Sequence, residues 1–151
     1  MKQFHIYTTI ICITLFFSLN SFKSPENSSI TENILRLTNQ FRRSYGLNEL
    51  TIRNELNALA QKHSEDMARG MVAFGHTGFS QRNAKAVKVI PSVRRVGENV
   101  AYGANSAKEV VTMWKNSPGH RKNMLGKYRY IGIGIAKSRR GVIYYTEIFA
   151  G

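Results

Sequence analysis

Residues 97–125 read GENVAYGANSAKEVVTMWKNSPGHRKNML. This stretch holds a carboxylate (Glu98), the chain's single tryptophan (Trp114) and a histidine (His120). Glycine directly precedes two of them, in Gly97-Glu98 and Gly119-His120, and a third such pair, Gly75-His76, lies upstream. The three polar side chains His76, Glu98 and His120 are expected to meet in one groove. Within the stretch, residues 97–103 read as a short ordered segment. Ser106-Ala107-Lys108-Glu109 has the capping-box spacing, which opens a helix with Val110, Val111 and Trp114 turned inward. Ser117-Pro118 restarts the chain: serine suits the N-cap and proline the first helical position of a short helix through Leu125. That places His120 in a first turn, beside backbone amides with no helical partner.

Downstream, Ile131-Gly132-Ile133-Gly134-Ile135 alternates isoleucine with glycine, and glycine on a strand face marks something packed close over it. Ser138-Arg139-Arg140-Gly141 is a turn, and residues 142–149 form a second β-rich run, so the pair reads as an antiparallel hairpin. Upstream, Ser29-Ile30-Thr31-Glu32 is a capping box. Ile34, Leu37 and Phe41 follow at helical spacing, giving a helix from about residue 30 to residue 45 that stops at Gly46. Asn54 is placed to cap a second helix, whose apolar stripe is Leu56, Leu59, Ala60, His63 and Met67. A histidine on such a face is expected to be a core or rim residue bonded locally. Residues 71–95 show little periodicity and carry Arg82, Lys85, Lys88, Arg94 and Arg95. They read as a long surface excursion, with residues 82–88 undecided between coil and one helical turn. Helices around a small antiparallel sheet make an α+β domain.

The 151-residue chain carries 22 basic against 9 acidic side chains, for a net charge of +13. That balance favours anionic surroundings such as phospholipid head groups, wall polyanions or nucleic acid. Residues 1–23 have the pattern of a secretory signal peptide: a weakly basic start at Lys2 and His5, then an apolar run from Ile6 to Leu19 that is short for a membrane span of ~20 residues. Residues 24–29 read as a polar linker and residues 30–151 as the domain. The single cysteine, Cys12, lies within the apolar run, so a cleaved product is exported without disulfides. The basic clusters lack interleaved aromatics apart from Tyr128 and Tyr130, so nucleic acid is not an expected partner. An anionic envelope component, a lipid or a membrane surface is, and the chain is expected to be a monomer.

The order Leu56-Asn57-Ala58-Leu59-Ala60-Gln61, Gly75-His76, Gly97-Glu98-Asn99, Trp114, Ser117-Pro118-Gly119-His120-Arg121-Lys122-Asn123-Met124-Leu125 and Ile131-Gly132-Ile133-Gly134 resembles the CAP superfamily, also called SCP or cysteine-rich secretory protein, antigen 5 and pathogenesis-related 1. The likeness runs from about residue 34 to residue 149. It implies a three-layer α-β-α sandwich with a small central antiparallel sheet. It also implies a cleft of two histidines and two acids that holds a divalent metal in some members. Carried over, His76 and His120 match the two histidines and Glu98 one acid. The second acid falls at Ser117, so the matched cleft is His76, Glu98, Ser117 and His120. Glu147 stands where related bacterial chains often have glutamine.

Two imidazoles and a carboxylate make a legitimate Zn²⁺ set with one position open to water. A divalent cation such as Zn²⁺ on His76 and His120 is therefore the optional cofactor. Another outcome is that His76, Glu98 and His120 bond one another and pin three loops. No serine or cysteine nucleophile stands out: Ser117 serves better as a cap, and Ser64 has no signalled base. Ligand binding in the cleft is expected ahead of catalysis. A metal-dependent hydrolase of peptide or envelope substrates and a lipid or sterol carrier are the alternatives.

Overall fold

Ser29 is the first residue that the computed structural model describes, and the described residues run from 29 to 151. The expected signal segment, Cys12 and the expected linker up to residue 28 lie outside the described residues. Ser29 closes the expected capping box: its Oγ accepts from Glu32 N–H at 3.2 Å, and its own N–H donates to the Glu32 carboxylate at 2.8 Å. Helix α1 runs over Ile30–Arg43. It is followed by β1 (Thr51–Ile52), α2 (Asn54–Ala68), α3 (Phe79–Val89), β2 (Val96–Tyr102), α4 (Ala107–Asn116), α5 (Pro118–Met124), β3 (Tyr130–Lys137) and β4 (Ile143–Ala150).

Four local expectations change. Asn54 is the first helical residue of α2, and Arg53 is the N-cap without a side-chain cap bond. At α4 the box is shifted: Ser106 Oγ accepts from Glu109 N–H, but the Glu109 carboxylate accepts from Asn105 N–H rather than from Ser106. Ser117 makes no side-chain cap bond; Pro118 fixes the entry to α5 by its ring geometry alone. The excursion contains α3, three turns rather than at most one. Its signal is faint because Gly78, in the left-handed conformation, starts the helix without a capping side chain.

The sheet order is β1-β3-β4-β2. β4 pairs antiparallel with both β3 and β2, while β1 adds two residues parallel to β3, Thr51 beside Tyr130 and Ile52 beside Ile131. The sheet is therefore mixed rather than wholly antiparallel, because the connector after α1 enters alongside the start of β3. Beyond Ile52 the free edge of β3 is closed by α2. Asn57 Oδ1 accepts from Ile133 N–H at 2.9 Å. Gln61 accepts from Ile135 N–H and donates to Ile135 O, both at 3.0 Å. The open edge is thus satisfied by side-chain amides instead of another strand.

The glycine face of β3 explains how α2 comes so near. A Cβ at Gly132 would lie 2.1 Å from the Leu56 carbonyl carbon, and one at Gly134 would lie 2.2 Å from that of Ala60. On this face Leu56, Ala60, Ala86, Ile90, Val93 and Ile148 form one core. On the opposite face Ile34, Phe41, Val110, Trp114, Ile131, Ile133, Tyr145 and Phe149 form the larger one. α2 and α3 cover the first face and α1, α4 and α5 the second, which is the α-β-α sandwich. Trp114 is fully buried, and its indole N–H has no partner among the described residues.

Buried Arg42 staples the end of α5 to α1. Its guanidinium donates to the carbonyls of Asn48, Met124, Gly126 and Tyr128. Burial lowers its pKa, and four carbonyl partners offset much of that penalty. Among the described residues no helix is long and apolar enough to cross a membrane.

Candidate functional site

The candidate cleft lies along β2, the edge strand of the sheet. Alternation along β2 divides its side chains between the two faces. Glu98 turns toward α2 and α3, and Asn99 turns toward α1 and α5. Glu98 is 4% exposed, too little for a carboxylate to stay charged without partners. It has them. Arg82 on α3 bonds both of its oxygens, Nε to Oε2 at 2.6 Å and Nη2 to Oε1 at 2.8 Å. His76 Nδ1 lies 2.9 Å from Oε1. With an ionised carboxylate as acceptor, Nδ1 carries the proton and Nε2 is the remaining nitrogen of a ring that is half exposed.

His63 on α2 completes this cluster. Its Nε2 is 2.8 Å from Gly75 O and 3.9 Å from Glu98 Oε1. The carbonyl contact makes Nε2 the donor, and burial holds the His63 pKa below its usual value. The bond also fixes the glycine just before His76. His63 is thus bonded locally, as expected for its helix face, and it also borders the site.

His120 arrives in the first turn of α5. Its backbone carbonyl accepts from Asn99 Nδ2 at 3.2 Å, while its ring makes no hydrogen bond among the described residues. Burial lowers its pKa, and the charge of His76 lowers it further, which puts the two imidazoles on one site. Asn123 donates to Glu98 O and to Asn99 Oδ1, both at 3.0 Å, and ties α5 along β2. The expected triad is therefore brought together but not bonded as a triad. His76 and Glu98 pair directly, whereas His120 is held through its main chain. Ser117 sits at the α4–α5 junction, where its N–H donates to Trp114 O at 3.3 Å and its side chain has no bond to a described residue.

Glu147 lies behind the cleft, fully buried, on the α1 side of β4. It accepts from Thr38 Oγ1 at 3.0 Å and from Asn99 Nδ2 at 3.3 Å. Desolvation pushes its pKa up to about 8, against the two hydrogen bonds that favour the anion. Its carboxyl thus reaches the cleft only through Asn99. Ser64 is structural: its Oγ donates to Gly134 O at 3.0 Å and lies 2.8 Å from Thr146 Oγ1, whose hydroxyl can donate to it.

The residues fit a three-ligand metal set poorly, because Arg82 already occupies both oxygens of Glu98. Among the described residues no group of three or more His, Cys, Asp or Glu side chains is placed to hold a metal ion. Sequence reasoning missed Arg82, which sits among other basic residues in a segment without a helix-start signal. Its spacing from Gly78, one turn into α3, is the only trace it leaves.

An α-β-α sandwich with two histidines and a glutamate gathered along one sheet edge defines a class of protein. The sequence pattern of the Cysteine-rich secretory protein family, CAP, matches residues 35–149, and the chain belongs to that family. It is 34% identical over 131 residues to the uncharacterized protein YkwD of Bacillus subtilis (strain 168), covering 82% of this chain and 48% of that one. It is 32% identical over 119 residues to the uncharacterized membrane protein YlbC of the same strain, covering 77% of this chain and 33% of that one. The chain thus spans half or less of these relatives. Among solved structures it is similar to an outer surface protein of Borrelia burgdorferi, with TM-score 0.67, 21% identity, and 80% and 91% of the two chains covered. It is also similar to an extracellular protein with an SCP domain from Bacillus anthracis, with TM-score 0.64, 25% identity, and 79% and 39% covered.

Proposed function

We propose that the chain is an exported binding module whose cleft receives an anionic group of its ligand between His76 and His120. One observation carries this reading: the Glu98 carboxylate is spent on Arg82 and His76. A carboxylate so engaged is a poor metal ligand, nucleophile or general base, yet it orients His76 with Nε2 as the free nitrogen. With the Glu98 charge cancelled by Arg82, no net negative charge faces the two imidazoles, so an anionic group that accepts from their ring N–H groups can enter. Export is supported by the N-terminal pattern and by two similar structures, described as an outer surface protein and an extracellular protein.

The test is an NMR titration of the imidazole C–H signals with inorganic phosphate. Saturable shifts at His76 and His120 are expected. Shifts confined to surface lysine signals would overturn the reading. Among the described residues a divalent cation on His76 and His120 has no third His, Cys, Asp or Glu donor, and a four-coordinate ion would take its remaining ligands from solvent. Peptide or envelope-substrate turnover that needs added metal, and is lost in His76→Ala, would favour the hydrolase instead.

A lipid carrier has one observation of its own. A groove of about 330 Å³ between α1 and α4 is lined by Leu37, Phe41 and Val111, with Lys108 and Lys115 at its rim. Fatty acid extractable from the purified chain would support that reading, and clean extracts would count against it.

A further inference from the structure

Away from the cleft's polar cluster, the far end of the β3–β4 hairpin combines two features that no role yet explains. The first is aromatic. Tyr102 at the end of β2 pairs in register with Tyr144 of β4, and their rings stack with centroids 5.7 Å apart. Phe74, from the segment between α2 and α3, meets Tyr102 edge-on at 4.6 Å. These rings are not core. Phe74 is 47% exposed, Tyr102 50% and neighbouring Met71 65%. Phe74 and Tyr102 touch, and Met71 stands three residues before Phe74 on the same connecting segment.

The second feature is charge. A basin of about 830 Å³ adjoins Tyr144 and is lined by Arg69, Lys137, Arg139 and Arg140. Arg69 shares its charge with Glu65 at 3.5 Å. Lys137, Arg139 and Arg140 are exposed and enter no ion pair among the described residues. A chain of net charge +13 has few acids to spare for them.

We infer that this end of the molecule docks on the surface of an anionic lipid bilayer. Met71, Phe74 and Tyr102 enter the interface, while Lys137, Arg139 and Arg140 meet lipid phosphates. Aromatic rings beside cations are the side chains that settle at the boundary between head groups and acyl chains. A soluble wall polyanion would satisfy the cations but offers no apolar phase to Met71 and Phe74, so the bilayer is the occupant that uses both halves. This inference is independent of what the cleft binds.

The experiment is flotation of the full chain with vesicles of phosphatidylcholine alone and of phosphatidylcholine with phosphatidylglycerol. The readout is the increment due to phosphatidylglycerol, since any insertion of the apolar N-terminal run occurs in both. The triple variant Lys137→Gln, Arg139→Gln, Arg140→Gln is expected to lose that increment by on the order of a hundredfold, about fivefold per cation. Phe74→Ser, which removes the ring that meets Tyr102 edge-on, is expected to weaken it at unchanged charge. A circular-dichroism melt confirms that each variant is folded, and Arg139→Lys is expected to keep the increment. An increment unchanged in the triple variant would overturn the inference, as would binding insensitive to Phe74→Ser. So would retention on purified anionic wall polymer with none on vesicles.

Discussion

Glu147 shows how far a single residue departs from its solution chemistry in this fold. It is a fully buried acid whose pKa is raised to about 8, held by Thr38 and Asn99. Between its ordinary value of 4.5 and about 8 the folded chain keeps a proton that the unfolded chain has released. Stability contributed here is therefore full below that window, falls as pH rises through it, and levels off above it. Glu147→Gln removes the titration. Its carbonyl can take the Asn99 bond and its amide can donate to the Thr38 hydroxyl. The variant is expected to melt at least ~4 °C above the parent at about pH 9, with the gap closing below pH 4.5. His63 and His120 act with the opposite sign: their pKa values lie below the usual one, so their stabilisation is lost as pH falls through it. They are unchanged in the variant and largely drop out of the difference. A constant gap at every pH, read by calorimetry, would contradict the assignment. The sequence marked Glu147 as a departure, but burial and the Thr38 contact link positions 109 residues apart, and no local pattern encodes that.

At the scale of elements, the hairpin was legible and α3 was not. Alternating isoleucine and glycine at 131–135 announced a strand with a close neighbour, and α2 is that neighbour. The reason is shared between two segments. Gly132 and Gly134 let the α2 backbone approach, and Asn57 and Gln61 then reach the β3 edge. Gly134→Ala forces a methyl group to within 2.2 Å of the Ala60 backbone, which cannot swing aside as a side chain would. At least ~2 kcal/mol of destabilisation in urea unfolding is expected. A change below ~0.5 kcal/mol would show that α2 sits less firmly than described. α3 escaped notice because its start has a glycine instead of a capping side chain, and only Ala86 of its residues is fully buried. A helix held by few core residues writes a weak period into the sequence. Missing α3 meant missing Arg82, and with it the charge balance of the cleft.

At the scale of the molecule, the cleft depends on three layers meeting at one sheet edge. α2 supplies His63, α3 supplies Arg82, β2 supplies Glu98 and Asn99, and α5 supplies His120 and Asn123. The family pattern pointed to His76, Glu98 and His120; of the glycines beside them only Gly75 sits at a positive-φ bend, while Gly97 lies within β2 and Gly119 within α5. The pattern left open how the three are wired, because the wiring runs through Arg82, Asn99 and Asn123. The central claim is that the Arg82 guanidinium occupies the carboxylate that a metal would otherwise use.

Calorimetric titration with Zn²⁺ of the parent chain and of Arg82→Gln tests that claim most directly. The parent is expected to show no stoichiometric binding in the micromolar range. Arg82→Gln, with Glu98 released to join His76 and His120, is expected to gain a single site that His120→Ala removes again. One Zn²⁺ bound tightly by the parent, and lost in both His76→Ala and His120→Ala, would contradict the account.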